Sequence, residues 1–162
     1  MLDIGQTAPD FTLPRDTGAA DSDSAGPDMV TLTKLRPHPV VLYFYPRDDT
    51  PGCTREAIDF SELLPEFQKL GALVMGISKD SVAKHDKFRA KHDLQVTLLS
   101  DADGQVCEDY GVWVEKTMYG RRSMGIERAT FLIDGAGDLR AIWRKVKVPD
   151  HAQEVLSAVA AL

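Results

Sequence analysis

Val40-Val41-Leu42-Tyr43-Phe44-Tyr45-Pro46-Arg47-Asp48-Asp49-Thr50-Pro51-Gly52-Cys53 runs from an apolar segment through a polar turn to a lone cysteine. The apolar part is short, continuous and rich in β-branched and aromatic residues, which reads as a buried strand. Beyond the cysteine, Ala57, Phe60, Leu63, Leu64, Phe67 and Leu70 fall at helical spacing and predict an amphipathic helix over Thr54–Leu70. Cys53 therefore stands where a strand ends and a helix begins. Free backbone N–H groups and the helix dipole favour an anion there, and a thiolate is such an anion. Most unpaired cysteines are small buried hydrophobes, but the neighbours of Cys53 point to a reactive thiol. Pro51 suits a first helical turn, where its missing N–H goes unused. Gly52 lets backbone come close to a small ligand. Thr50 sits at a cap position, three residues before the sulfur, and Pro46 stiffens the strand exit.

Outward from this junction the chain alternates strands and helices, the pattern of an α/β fold with a central sheet. Ala72–Ser78 reads as a second strand. Ser81 or Asp80 is placed to cap a polar helix running to about His92. Val96–Leu99 is a short strand, and Gln105–Tyr110 a short helix stopped by Gly111. Ala129–Asp134 and Leu139–Lys145 form a hairpin around Gly135-Ala136-Gly137-Asp138. Asp150 followed by Gln153 resembles a capping box opening a last helix through Val155, Leu156 and Val159. This order of elements fits a thioredoxin-like fold, a central mixed sheet flanked by helices. Residues 15–29 are polar, acidic and rich in Gly and Ser, which predicts an exposed, mobile loop.

The 162 residues suit one domain, 1–162, with one core. The net charge of −6 and the scattered basic residues argue against nucleic acid as a partner. No apolar stretch approaches the length of a membrane span. The N-terminus shows no basic region leading into an apolar one, so the expected location is cytoplasmic. The two cysteines, Cys53 and Cys107, form no Cys-x-x-Cys pair, and a structural disulfide is not expected.

Pro46-x-x-x-Thr50-x-x-Cys53, with Thr-Pro-Gly-Cys-Thr inside it, resembles the active-site motif of the peroxiredoxins (the AhpC/TSA family). Gly5–Leu13, Gly76–Ser81, Leu99-Ser100-Asp101, Tyr110–Trp113 and Gly125–Asp134 resemble further landmarks of that family, in the same order. The likeness covers nearly the whole chain and is greatest to the bacterioferritin comigratory protein (PrxQ) subfamily. It implies a thioredoxin-like fold, no cofactor, no metal, and an antioxidant oxidoreductase: a thiol-dependent peroxidase acting on hydrogen peroxide and organic hydroperoxides through a cysteine sulfenic acid.

Such chemistry needs a thiolate, and at the reference value of about 8.5 only a few per cent of a cysteine is ionised near neutrality. Ionising most of it takes roughly 2.7 kcal/mol of extra stabilisation of the anion. A helix end supplies about 0.3–1 kcal/mol, or about 2 in a favourable site, so a cation is needed. The resemblance assigns that role to Arg128, whose guanidinium would lie against the sulfur and the peroxide. It assigns Thr50 the positioning of the peroxide, Pro46 the shielding of the site, and Gly52 with the Cys53 backbone a share of substrate binding. Glu56 is placed to hold an arginine such as Arg128, or to serve as an ordinary first-turn carboxylate.

Many members of the subfamily carry a second, resolving cysteine at the position of Ile58, or near that of Arg89. Neither is cysteine here. Cys107 reads as an inert buried thiol, with a role as resolving residue the alternative. A one-cysteine cycle with an external reductant is therefore expected. Thioredoxin, glutaredoxin and small thiols are candidate partners, and the subfamily suggests a monomer or weak homodimer.

Other features read as ordinary structure. His85 and His92, with Asp86 and Asp93, are taken as a solvated helix face rather than a metal pair. Asp101–Gly104 lacks the spacing of a calcium loop. Trp113, Tyr43 and Phe44 are core residues by default, with a place at the substrate entrance as the alternative. Competing functions are a thioredoxin-type oxidoreductase, disfavoured by the missing Cys-x-x-Cys, and a thiol-based redox sensor or chaperone-like protein that does not turn over. A cysteine hydrolase is disfavoured because no histidine stands near Cys53 in a recognisable motif.

Overall fold

Strand β3 (Val40–Phe44) is buried along its whole length, and its side chains divide between two layers. Val40, Leu42 and Phe44 enter one apolar cluster; Val41 and Tyr43, with Tyr45 just beyond, enter another. A strand can be apolar throughout only if both faces of its sheet are covered, and that is the arrangement found. The computed structural model, which describes residues 2–17 and 28–162, places β3 at the centre of a five-stranded sheet.

Helix α1 (Pro51–Lys69) carries the chain from β3 to β4 (Leu73–Ser78), which pairs parallel to β3. Helix α2 (Val82–His92) leads to β5 (Thr97–Ser100), parallel to β4. On the other side of β3 lie β8 (Ala129–Ile133) and β9 (Leu139–Trp143), an antiparallel hairpin, followed by α4 (His151–Ala160). The order β5-β4-β3-β8-β9, three parallel strands and a hairpin, is the thioredoxin-like sheet expected from the pattern. Phe60 and Phe67 of α1, Phe88 of α2, and Val155 and Val159 of α4 share one face. The opposite face is covered by Phe11, Leu13 and the short helix α3 (Gln105–Asp109). Gly76 in β4 is required by packing: a Cβ there would lie 2.6 Å from the Tyr43 ring, which stacks on Phe60 at 4.7 Å between centroids.

Several local expectations need correction. The Cys53 helix begins at Pro51, so the cysteine lies inside its first turn. Thr50 is the N-cap by position, but its hydroxyl donates to the Arg47 carbonyl at 2.9 Å and makes no cap bond. Asp150 likewise forms no capping box; it is held at φ +65 and its carboxylate does not meet the helix start. Ser81 does cap α2, accepting from Lys84 N. Between Gly111 and Arg128 the chain forms an unanticipated hairpin, β6 (Trp113–Met118) with β7 (Arg121–Ile126). Its exposed, mixed-polarity strands carry little periodic signal.

The stretch 15–29 lies in the connection between β1 (Thr12–Pro14) and β2 (Met29–Thr31), an antiparallel pair. Its middle, 18–27, falls outside the described residues. Its flanks depart from the expected exposed loop. Met29 is in a strand, Asp16 is fully buried, and Asp16 N donates to the Leu98 carbonyl. The Asp16 carboxylate accepts from the Arg89 guanidinium, which also donates to the carbonyls of Leu94 and Val96. A buried arginine needs such a set of acceptors, and neither half of the pair is visible in local sequence.

Candidate active site

The first turn of α1 sets the site. With Thr50 as N-cap, Gly52 and Cys53 occupy the second and third helical positions, whose N–H groups have no partner within the helix. Cys53 is 2 % exposed, at the edge of the face formed by α1, α2 and α4. Arg128, immediately before β8, reaches the sulfur: Nη2 donates to Cys53 Sγ at 3.3 Å, and Nη1 donates to Glu56 Oε1 at 2.7 Å. Glu56 is one helical turn from Cys53 and 1 % exposed. One guanidinium thus bridges a sulfur and a carboxylate along the same helix. Burial pushes the Glu56 carboxyl up to about 7, against the charge and hydrogen bond of Arg128. Its second oxygen, Oε2, has no hydrogen-bond partner among the described residues. Burial alone would lower the affinity of Arg128 for its proton, but the charges of Glu56 and Cys53 more than restore it.

Gly52 serves this bridge. A Cβ at that position would stand 3.1 Å from Arg128 Nη2, so the glycine leaves room for the guanidinium as well as for backbone approach to a ligand.

The loop before the helix is fixed from beneath. Asp48 is buried and accepts from the Tyr45 hydroxyl at 2.6 Å and from His85 Nδ1 at 2.7 Å, while its N–H donates to Asp80 Oδ2 at 2.8 Å. His85 Nε2 faces the Leu99 carbonyl at 2.9 Å. Both ring nitrogens therefore face acceptors, which suits the imidazolium. Burial disfavours that cation, but the Asp48 hydrogen bond and charge, the Leu99 carbonyl and Asp80 outweigh it, and the His85 pKa is raised. The expectation of a solvated helix face fails for His85, which is fully buried. It holds better for His92, paired with Asp49 at 2.9 Å at the surface. Tyr45, Asp48 and His85 were missed because their meeting is tertiary; only the position of Asp48 inside the motif hinted at it.

Pro46 lines a cleft beside the loop, together with Trp113. Tyr43 and Phe44 are fully buried core, which settles their alternative reading. Cys107 is also fully buried, but in the cluster on the opposite face of the sheet from Cys53. Burial, then the neighbouring Asp101 carboxylate, push its pKa up. Asp101 accepts from the N–H groups of Val106 and Cys107 at 3.2 and 2.8 Å, so it anchors α3. Of the two positions where relatives place a second cysteine, Ile58 packs half-buried on α1 and Arg89 is the buried partner of Asp16.

A lone cysteine in the first turn of the helix after the central strand of such a sheet, with an arginine on its sulfur, defines a thioredoxin-fold thiol protein of the peroxiredoxin class. Comparison with known proteins agrees. The AhpC/TSA family profile matches residues 4–142. The chain is 50 % identical over 155 residues to the putative peroxiredoxin bcp of Coxiella burnetii, covering 96 % of this chain and 97 % of the relative. It superposes with a TM-score of 0.82 on the Xanthomonas campestris bacterioferritin comigratory protein, a protein described by its alkyl peroxide reduction activity, at 45 % identity over 92 % of this chain and 90 % of that one. A cysteine-to-serine mutant of Xylella fastidiosa PrxQ gives a TM-score of 0.89 at 39 % identity, covering 99 % and 97 %. The chain belongs to the AhpC/TSA family, in its bacterioferritin comigratory protein (PrxQ) branch.

Proposed function

We propose that this protein is a thiol-dependent peroxidase, folded here as one domain, in which Cys53 attacks the substrate. The observation that carries the reading is the contact of Arg128 with Cys53 Sγ at 3.3 Å, backed by Glu56. A guanidinium beside the sulfur favours its anion and offers a donor to peroxide oxygen. The thiolate attacks the terminal, hydroxyl oxygen of ROOH; the S–O bond forms, the O–O bond breaks, and RO− leaves, taking a proton from solvent to become ROH. The product is Cys53 sulfenic acid. Arg128 and the free N–H groups of Gly52 and Cys53 stabilise charge on the departing oxygen. Thr50 and Pro46, flanking the loop, position the peroxide and restrict water.

A one-cysteine cycle follows. A thiol R′SH condenses with the sulfenic acid, releasing water and leaving a Cys53–S–S–R′ disulfide. A second R′SH then restores Cys53 and departs as R′SSR′. Support comes from the placement of Cys107 across the sheet and from Ile58 and Arg89 at the positions of second cysteines in relatives. Thioredoxin, glutaredoxin or a small thiol would serve as R′SH, and two unpaired cysteines suit a reducing cytoplasmic setting. Separate Cys53→Ser and Cys107→Ser variants test the assignment in a hydroperoxide-consumption assay with a thiol donor. Loss of turnover in the first and retention in the second is expected; the reverse, or a single turnover only in the parent protein, overturns it.

A further inference from the structure

Next to the reactive loop, a cleft of about 430 Å³ opens between Arg47, the start of α2 and the β6–β7 hairpin. Its size is that of a small-molecule site. Four cations reach its walls, Arg47, Lys79, Lys84 and Lys116, against one carboxylate, Asp80. Asp80 is already engaged by Asp48 N and Ser78 Oγ at 2.8 and 2.7 Å, with Lys84 a distant 3.9 Å away. Arg47 and Lys116 have no ion-pair partner among the described residues. In a chain of net charge −6, a cleft with a surplus of three positive charges is a local inversion.

Of the remaining lining, Ser81 is polar and the larger side chains are apolar. Trp113, with the Lys79 ammonium 4.1 Å from its ring centroid, forms one wall, and Met124 and Ile126 add to it. Met124 is 51 % exposed, which leaves apolar surface uncovered at the rim. The cleft reaches the reactive loop at Pro46 and Arg47, and the charges of Arg128 and Cys53 both act on Lys116. Lys116 is half-buried and has no ion-pair partner among the described residues; burial, then the charge of Arg128, lowers its pKa against the charges of Cys53 and Glu127.

We propose that this cleft binds the carboxylate of an amphipathic small substrate, with its apolar body along Trp113 and Met124 and its reactive end directed to Cys53. The proposal rests on the peroxidase reading and deepens it. Two substrates of the cycle can carry such a group: an organic hydroperoxide, such as that of a fatty acid, or the thiol reductant.

Binding is tested first without turnover. Hexanoate and hexanol are titrated into the ¹⁵N-labelled protein, following the Trp113 indole and the Lys116 and Gly125 amides. Hexanoate should shift them saturably and hexanol should not. Arg47→Gln with Lys116→Gln should weaken hexanoate roughly fivefold or more, the scale of an exposed charge pair. Equal responses to the two probes, or none in the cleft, overturn the proposal. Turnover then separates the sources through the acid-to-methyl-ester ratio of kcat/KM. One arm uses a fatty acid hydroperoxide with dithiothreitol, the other 3-mercaptopropionate with hydrogen peroxide. A preference for the acid in one arm that collapses in the double variant and at high salt identifies the source; no preference in either arm overturns the proposal. Absence of any turnover counts against the peroxidase reading, while the hexanoate titration still decides whether the cleft binds carboxylates.

Discussion

Replacing Arg128 by Met separates two effects that the structure joins in one side chain. The guanidinium donates to Cys53 Sγ at 3.3 Å and to Glu56 Oε1 at 2.7 Å, and only 16 % of the side chain is exposed. A hydrogen bond to a charged group is worth about 1.5–3 kcal/mol. Losing it at the sulfur should lower the rate constant for peroxide oxidation roughly 10- to 100-fold. Removing one member of a buried ion pair costs about 3–5 kcal/mol of stability. Here the loss falls toward the lower end, because Glu56, already pushed up to about 7, can take a proton once Arg128 is gone. Adding Glu56→Gln to Arg128→Met removes the orphaned charge, so stability should recover while the rate stays low. Stopped-flow peroxide kinetics and urea unfolding on both variants read the two effects independently. An unchanged rate in the single variant, or a recovered rate in the double, refutes direct action of Arg128 on the sulfur.

Three further outcomes are expected. Glu56 and His85 both bind protons more strongly in the folded chain, so their contributions to stability fall as pH rises. For Glu56 the fall runs from its ordinary value near 4.5 through about 7. For His85 the contribution is complete below 6.5 and is lost through its raised folded value. The unfolding free energy of the parent minus that of Glu56→Gln, measured in urea from pH 4.5 to 8, should decline across the first window; a rise contradicts the assignment. Gly52→Ala should slow peroxide oxidation about three- to tenfold by displacing Arg128 Nη2, while alanine raises helix stability by up to about 1 kcal/mol. An unaltered rate removes that role for the glycine. Arg89→Met should cost about 3–5 kcal/mol in urea unfolding by stranding the buried Asp16, and Arg89→Lys should restore little of it because an ammonium cannot reproduce the fork.

The sheet and its helices were legible because their signals are periodic. The apolar run at Val40–Phe44 and the helical spacing from Ala57 to Phe67 carry the burial pattern within the local sequence. Cys53 and Arg128 were legible through the motif and the resemblance. The hairpin from Trp113 to Ile126 was not, since half of its side chains face solvent and its strands lack alternation. The Asp48–His85 and Asp16–Arg89 pairs were not either. Each joins residues 37 or 73 positions apart, and a charged side chain gives no sign in sequence that a distant partner will let it be buried. The same holds for the cationic cleft, whose members come from three separate segments. The expected caps at Thr50 and Asp150 failed because a hydroxyl or carboxylate at a cap position has other acceptors or donors to choose from.

The central claim is that Cys53, and not Cys107, meets the peroxide and holds the oxygen. One equivalent of hydrogen peroxide in the presence of dimedone, followed by peptide mass spectrometry, reads this directly. The dimedone adduct should fall on the Cys53 peptide, with Cys107 unmodified. An adduct on Cys107, or loss of two hydrogens through a Cys53–Cys107 disulfide, would contradict the account.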